Sequence, residues 1–222
     1  MLLAVDTSTQ WMGLALYDGS QVRGEVSWKT SSRHTVELAP ALDDLWRRTG
    51  VAAGDLRALG VAIGPGAFTS LRIGLALVKG LALALRIPVT GVPSLSVMAA
   101  GQPVQEMTMV AALHVGRGRL AVGWFAPVYG KWLMQGEPHL TTAEELVKQI
   151  KNPTLVCGEL DAAERQLLAR KRKNVVLASP AQSLRRPAYL AELAWRRWQI
   201  GEVDDVVSLS PIYLHTTQGI PS

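Results

Sequence analysis

The chain has 222 residues, a formal charge of +5, 48% hydrophobic residues and 18% charged ones. That balance excludes an intrinsically disordered chain and fits one large or two small globular domains. A single cysteine, Cys157, excludes an intrachain disulfide framework, and Arg72, Lys79 and Arg86 break the longest apolar stretch, Leu71 to Val92, which argues against a membrane span.

Near the start, Met1 to Asp6 lacks a basic n-region and meets an acid early, so no signal peptide and a cytoplasmic location are expected. Short apolar runs predict strands over Leu2 to Val5, Met12 to Tyr17 and Val22 to Trp28, the second turning at Asp18-Gly19. Ser31 and Ser32 open a helical pattern through Val36, Leu38, Leu42, Leu45 and Trp46, which Gly50 ends. A strand over Leu59 to Ile63 leads into Gly64-Pro65-Gly66 and a helix to Arg86, capped by Thr69 or Ser70. Pro88 to Val92 is a strand, and Ser94 caps a short helix to Ala100.

The same order then returns. Strands are expected over Met109 to Val115, Leu120 to Phe125 and Lys131 to Met134, the first pair turning at Gly116-Arg117-Gly118. Thr141 and Thr142, each with a Glu three residues on, are capping-box signatures for a helix to about Ile150. Thr154 to Cys157 is a strand, Ala162 to Arg172 a helix, Val175 to Ala178 a strand and Ala188 to Ile200 a helix. Two β-β-β-α-β-α-β-α series predict an α/β protein of two similar lobes, each a mixed sheet with helices on its faces. The expected division is 1–102 and 103–204, with 205–222 returning to the first lobe.

Asp6-Thr7-Ser8-Thr9 falls in the turn between the first two strands. Backbone N–H groups and small hydroxyls in such a turn can hold a phosphate, or can satisfy the turn's own backbone. Two-lobed kinases and ATPases of the actin-like class use Asp-x-Gly-Thr/Ser here, and this chain has Ser8 at the glycine's place. Gly64-Pro65-Gly66 precedes a helix without a Walker Lys, and Pro65 removes a donor, so these glycines are expected to turn the chain rather than cradle phosphate. His34, His114, His139 and His215 form no ligand pair, so no metal site is expected, and no nucleophile elbow marks a catalytic residue.

The helix after Gly66 carries more apolar surface than one sheet can cover. With Leu71 at 0°, its cations Arg72, Lys79 and Arg86 fall at about 100°, 80° and 60°, one narrow stripe. The remaining arc of roughly 260° is apolar or small, where a sheet-packed helix needs little over about 100°. Either the helix is buried wholly within one subunit or, the preferred reading, it forms a protein–protein interface over Thr69, Ile73, Gly74, Ala76, Leu77, Gly80, Leu81 and Ala84. Arg170-Lys171-Arg172-Lys173 has two readings, a solvated helix end or a surface for an anion such as RNA.

Asp6 to Thr9, Arg33-His34, Gly64 to Gly74, Gly91 to Leu95 and Pro211 to Leu214 together resemble the TsaB (YeaZ) family. The resemblance implies an actin-like (ASKHA, ribonuclease H-like) fold and a role in making N6-threonylcarbamoyladenosine (t6A) on tRNA. It implies a non-catalytic subunit that pairs with the TsaD transferase and the TsaE ATPase and that forms homodimers through the helix at Thr69 to Arg86. Transferase-like relatives carry a His-x-x-x-His metal pair, but here His34 is followed by Leu38. In the second lobe His114-Val115-Gly116-Arg117 stands where many members have Asp-Ala-Arg. The implied reading needs no cofactor. The alternatives are an ATP–Mg2+ kinase or hydrolase working through Asp6 to Thr9, and an M22-type metallopeptidase.

Overall fold

The computed structural model describes residues 1–31, 33–116 and 118–214. They form two compact units, one of Met1–Val97 with Arg185–Ile212, the other of Met98–Leu184 with Tyr213 and Leu214.

The first unit is built on strands β1 (Leu2–Asp6), β2 (Trp11–Tyr17), β3 (Val22–Lys29), β4 (Ala58–Ala62) and β5 (Val89–Val92), in the order β3-β2-β1-β4-β5. The first three form an antiparallel meander, and β1, β4 and β5 run parallel. Alternation along β1 decides what each face meets. Leu3 and Val5 point into a core with Leu38, Leu42 and Leu45 of helix α1 (His34–Thr49) and Leu75, Val78 and Ala82 of helix α2 (Phe68–Leu85). Leu2 and Ala4 point the other way, to Val97 of helix α3 (Ser94–Ala100) and to Leu190, Ala191 and Ala194 of α6 (Pro187–Gln199).

The second unit repeats the plan. Its strands β6 (Thr108–His114), β7 (Leu120–Val128), β8 (Lys131–Thr141), β9 (Thr154–Gly158) and β10 (Val175–Leu177) run in the order β10-β9-β6-β7-β8. Helices α4 (Ala143–Gln149) and α5 (Ala162–Ala169) bury Leu146 and Leu168 against Val110, Ala112, Val122 and Val156. Thr142 caps α4: its hydroxyl accepts from the Glu145 amide, and the Glu145 carboxylate accepts from the Thr142 amide.

The α/β architecture and the duplicated element order expected from the sequence are both present. The division at 102 and the assignment of 103–204 to the second lobe are corrected, because α6 follows the second sheet in the chain and packs on the first. The reason is shape: β2 and β4 present Gly13 and Gly60 to it. A Cβ on Gly60 would stand 2.7 Å from the Ala194 methyl, and one on Gly13 would stand 2.9 Å from the Pro187 ring. Glu25 of β3 fixes the start of α6, accepting from the Ala188 amide at 3.0 Å and pairing with Arg186. After α6 the chain runs along the first sheet. The Asp204 amide donates to Val89 O, and the Ile212 amide donates to Ile63 O.

Several boundaries moved. The expected opening of α1 at Ser32 lies outside the described residues, as do Arg117 of the β6–β7 turn and His215. Helix α2 is capped by Ala67, not by Thr69 or Ser70, because the Ala67 amide is tied to Ser8 O at 2.7 Å and the helix starts at once. Helix α5 stops at Ala169 instead of Arg172, since the Lys171 side chain turns back to donate to Val147 O and Ile150 O. Strand β8 runs on to Thr141, well past Met134.

Candidate functional site

The turn after β1 is closed by its own chain. Asp6, Thr7, Ser8 and Thr9 are all buried. The Asp6 carboxylate accepts from the Arg185 Nε at 2.6 Å and from the Ser8 amide at 2.9 Å. Arg185 also donates to Thr9 Oγ1 at 3.2 Å, and this ion pair is fully buried, with side-chain exposures of 1% and 2%. The Thr7 hydroxyl donates to Ser70 O at 2.7 Å, and Ser8 Oγ shares a hydrogen bond with Ser94 Oγ at 2.6 Å. The Ser94 hydroxyl in turn accepts from the Gly64 amide at 3.0 Å. His34 Nε2 lies 2.8 Å from Thr9 O, which places the buried histidine at the turn as a structural partner.

The loop and helix that follow β4 press directly on this turn. A Cβ on Gly66 would stand 2.2 Å from Ser8 O, and one on Gly74 would stand 2.3 Å from Thr7 Oγ1. Gly64 has φ +103°, a backbone state that L side chains rarely adopt, and a Cβ there would meet Ile212 O at 2.8 Å. The glycines thus bring the loop onto the turn and the C-terminal segment, and the Asp6 carboxylate, the Thr7, Ser8 and Thr9 hydroxyls and the Ser8 and Gly64 amides are spent inside the fold.

Arg185 and Ser94 were not read as site residues in the sequence. The burial of Arg185 depends on α6 packing on the first sheet, which no local pattern announces.

Helix α2 sets its two faces against different surroundings. Ser70, Leu71, Gly74, Leu75, Val78 and Ala82 are buried. Thr69, Ala76, Gly80 and Ala84 are exposed, and Ile73, Leu77 and Leu81 are half-buried at the edges. Gly74 is therefore withdrawn from the outward face predicted for it: its missing side chain admits Thr7, not a partner. Leu83 and Phe68 join that outward face instead, at 67% and 53% exposed. The Arg72 guanidinium stacks 3.7 Å over the Phe68 ring, and Lys79 Nζ donates to Val207 O at 3.0 Å. By length and composition α2 would pass for a membrane span, yet a third of it is committed to the core of the first unit.

Two further groups bear on chemistry. His114 Nε2 lies 3.0 Å from Glu164 Oε2, and Asp161 and Glu164 cap α5 reciprocally, so the ligand-type atoms of all three residues lie within 4.8 Å of one another. The capping box and the His–Glu pair account for that arrangement. Cys157 is buried in β9, where desolvation pushes its thiol up to about 12, the opposite of an activated nucleophile.

Duplicated sheets of this order, each opening with an antiparallel meander, define a two-lobed protein of the actin-like class. A family model described as "TsaD: tRNA N6-adenosine threonylcarbamoyltransferase" matches residues 20–124. The Bacillus subtilis "tRNA threonylcarbamoyladenosine biosynthesis protein TsaB" is 29% identical, over 98% of this chain and 95% of its own length. Its Escherichia coli namesake is 35% identical over 45% of this chain and 43% of its own. The solved structure "YeaZ from Pseudomonas aeruginosa" superposes with a TM-score of 0.79 at 26% identity, covering 96% of this chain and 99% of that one. Along nearly its whole length the chain is thus similar to proteins of the TsaB (YeaZ) family.

Proposed function

We propose that this chain is a non-catalytic partner subunit of the bacterial machinery that makes t6A on tRNA, working in the cytoplasm without a cofactor of its own. It docks the TsaD transferase through the outward face of α2, the same face serves a homodimer, and TsaE and tRNA are met through the assembled complex. The observation that carries this reading is that face: apolar or small, with Ala76, Gly80, Leu83 and Ala84 exposed among the described residues and Ile73 and Leu77 half-buried along its edges. Burying a few hundred Å2 of such surface contributes several kcal/mol at about 25 cal/mol per Å2, against which association entropy must be set. A kinase or hydrolase reading needs Asp6 free for Mg2+ and the turn open to phosphate, whereas Arg185 holds Asp6 and Gly66 seals the turn. A metallopeptidase needs a second histidine where Leu38 stands.

The test is co-purification of tagged chain with TsaD, followed by light scattering. A Cβ on Gly80 meets nothing within 4 Å, so Gly80→Glu and Ala76→Glu should leave the monomer folded and abolish the complex. TsaD retained at the wild-type level by both variants refutes the docking face. Micromolar ATP–Mg2+ binding with turnover in calorimetry refutes the non-catalytic reading.

A further inference from the structure

The second unit sorts its charges by end. Glu144 and Glu145 sit in the first turn of α4, Glu159 follows β9, and Asp161 and Glu164 open α5. At the opposite end, where β6, β9 and β10 begin and both helices finish, Lys148, Lys151, Arg170, Arg172 and Lys173 are all exposed. Glu106, before β6, is an acid at that cationic end. The gathering is built rather than accidental. Lys171 reaches across to the last carbonyls of α4, the Asn174 side-chain amide donates to Lys151 O, and the Thr154 amide donates to Asn174 O at 2.9 Å. These bonds hold the α5–β10 turn beside the α4–β9 loop, so two stretches of chain present their cations together.

Helix dipoles account for Lys148, in the last turn of α4, and for Lys171, and leave the rest. Carbonyl ends of α4 and α5 favour positive charge, and Lys171 answers them directly. Lys148 also faces Glu144 one turn earlier on α4, whose carboxylate it helps to hold down, whereas Lys151, Arg170, Arg172 and Lys173 form no salt bridge among the described residues. Like charges held close repel, so a surface that keeps four of them unpaired is suited to an anionic partner. Strand β7 runs antiparallel to β6, so the β7–β8 turn lies at this end as well. There Lys131 is exposed, and Tyr129 is fully exposed at the turn with φ +47°. From β10 to that turn the cations span roughly 15–20 Å, counting strands about 4.8 Å apart.

We propose that this end of the second unit binds the phosphate backbone of a nucleic acid, with Tyr129 as a stacking platform for an unpaired base. A row of exposed cations flanked by a bare aromatic suits a single strand, whose charges are spaced and whose bases have open faces. A bilayer surface would call for an apolar wedge among the cations, and the outward positions of α4 and α5 are polar, charged or alanine. The proposal rests on the charge layout of the second unit alone and is independent of TsaD docking through α2.

The test uses the full chain and a fluorescein-labelled single-stranded RNA of about 20 nucleotides, longer than one such site, in anisotropy titrations across a KCl series. Arg172→Glu with Lys173→Glu, leaving Lys171 in place, should weaken binding at least about tenfold and flatten the log–log salt slope by about 1.4, two phosphate contacts at about 0.7 each. Tyr129→Asn, which tolerates the positive φ, should weaken binding about tenfold with the slope unchanged. Lys29→Glu with Arg57→Glu makes the same change in net charge on the first unit and should leave affinity within about twofold. Equal losses in both double variants, no salt-dependent binding by the wild type, or phosphatidylserine vesicles bound through these cations while RNA binding ignores them would each overturn the proposal.

Discussion

Two glycines of α2 make opposite demands, and one substitution separates them. Gly80 stands in the exposed part of the helix, and an added Cβ meets nothing within 4 Å. Gly80→Ala should therefore show the helix-propensity gain alone, about 0.5–1 kcal/mol. For a chain of this size that raises Tm by about 1–4 °C. At Gly74 the same methyl would stand 2.3 Å from Thr7 Oγ1, 3.1 Å from its Cγ2 and 3.2 Å from its Cβ. Thr7 is buried and β-branched, so it has little rotamer freedom with which to yield. Overpacking of this kind costs about 1–3 kcal/mol. Displacing the Thr7 hydroxyl from Ser70 O adds about 0.5–1.5 kcal/mol. Set against the same propensity gain, Gly74→Ala should lose roughly 0.5–4 kcal/mol. Urea unfolding of the two variants beside wild type measures both signs in one experiment. If Gly74→Ala is as stable as wild type, α2 does not seat against the β1–β2 turn as described, and the division of its faces fails with it.

The buried pair should show strong coupling. Arg185→Leu leaves the Asp6 carboxylate uncompensated, at a cost of about 3–5 kcal/mol, and Asp6→Leu strands the guanidinium in the same way. The double variant should lose much less than the sum, and additive losses in the cycle would disprove the clasp. Glu37 is held below its usual 4.5 by hydrogen bonds from Trp28 and then Thr30. Its contribution to stability is thus complete above about pH 4.5 and fades as pH falls through the lower folded value, so the stability gap between wild type and Glu37→Gln should be flat near neutrality and shrink on acidification. A gap that widens in acid contradicts that sign. Native Cys157 should resist iodoacetamide at mildly alkaline pH and react fully once the chain is denatured, as mass spectrometry would show.

Much of the architecture was legible because it is written in local periodicity. The three-strand meanders, the helices after them and the capping box at Thr142 all leave short-range patterns, and duplication of the order pointed to duplicated sheets. What stayed hidden depends on partners distant in sequence. Helix α6 has an alanine face that fits either sheet by composition. Only the missing side chains at Gly13 and Gly60 select the first, and those glycines precede α6 by more than a hundred residues. The end of α5 was missed for a related reason. Arg170 to Lys173 continues a good helical composition, and the stop comes from a lysine reaching another helix's carbonyls.

The same distinction governs the site. The sequence ranks the cations of α2 on one stripe and exposes the surplus of apolar surface, because a helix fixes angular position by counting. Counting does not say where the inward face is centred. Gly74 and Gly80 are both small residues in the apolar arc, and they were grouped on that ground. The structure separates them by about 120° of helix, with Thr7 against one and open space beside the other. The turn at Asp6 to Thr9 follows the same logic. An acid and three hydroxyls after a first strand read as a phosphate cradle or as a self-satisfied turn, and residue type cannot choose between them. The choice is made by Arg185, which reaches the carboxylate from the far end of the chain, and by Gly66 and Gly74, which let backbone and helix close over the hydroxyls. A turn whose carboxylate and hydroxyls are bonded within the fold holds its lobe together, which is why the proposed docking falls to the outward face of α2 instead.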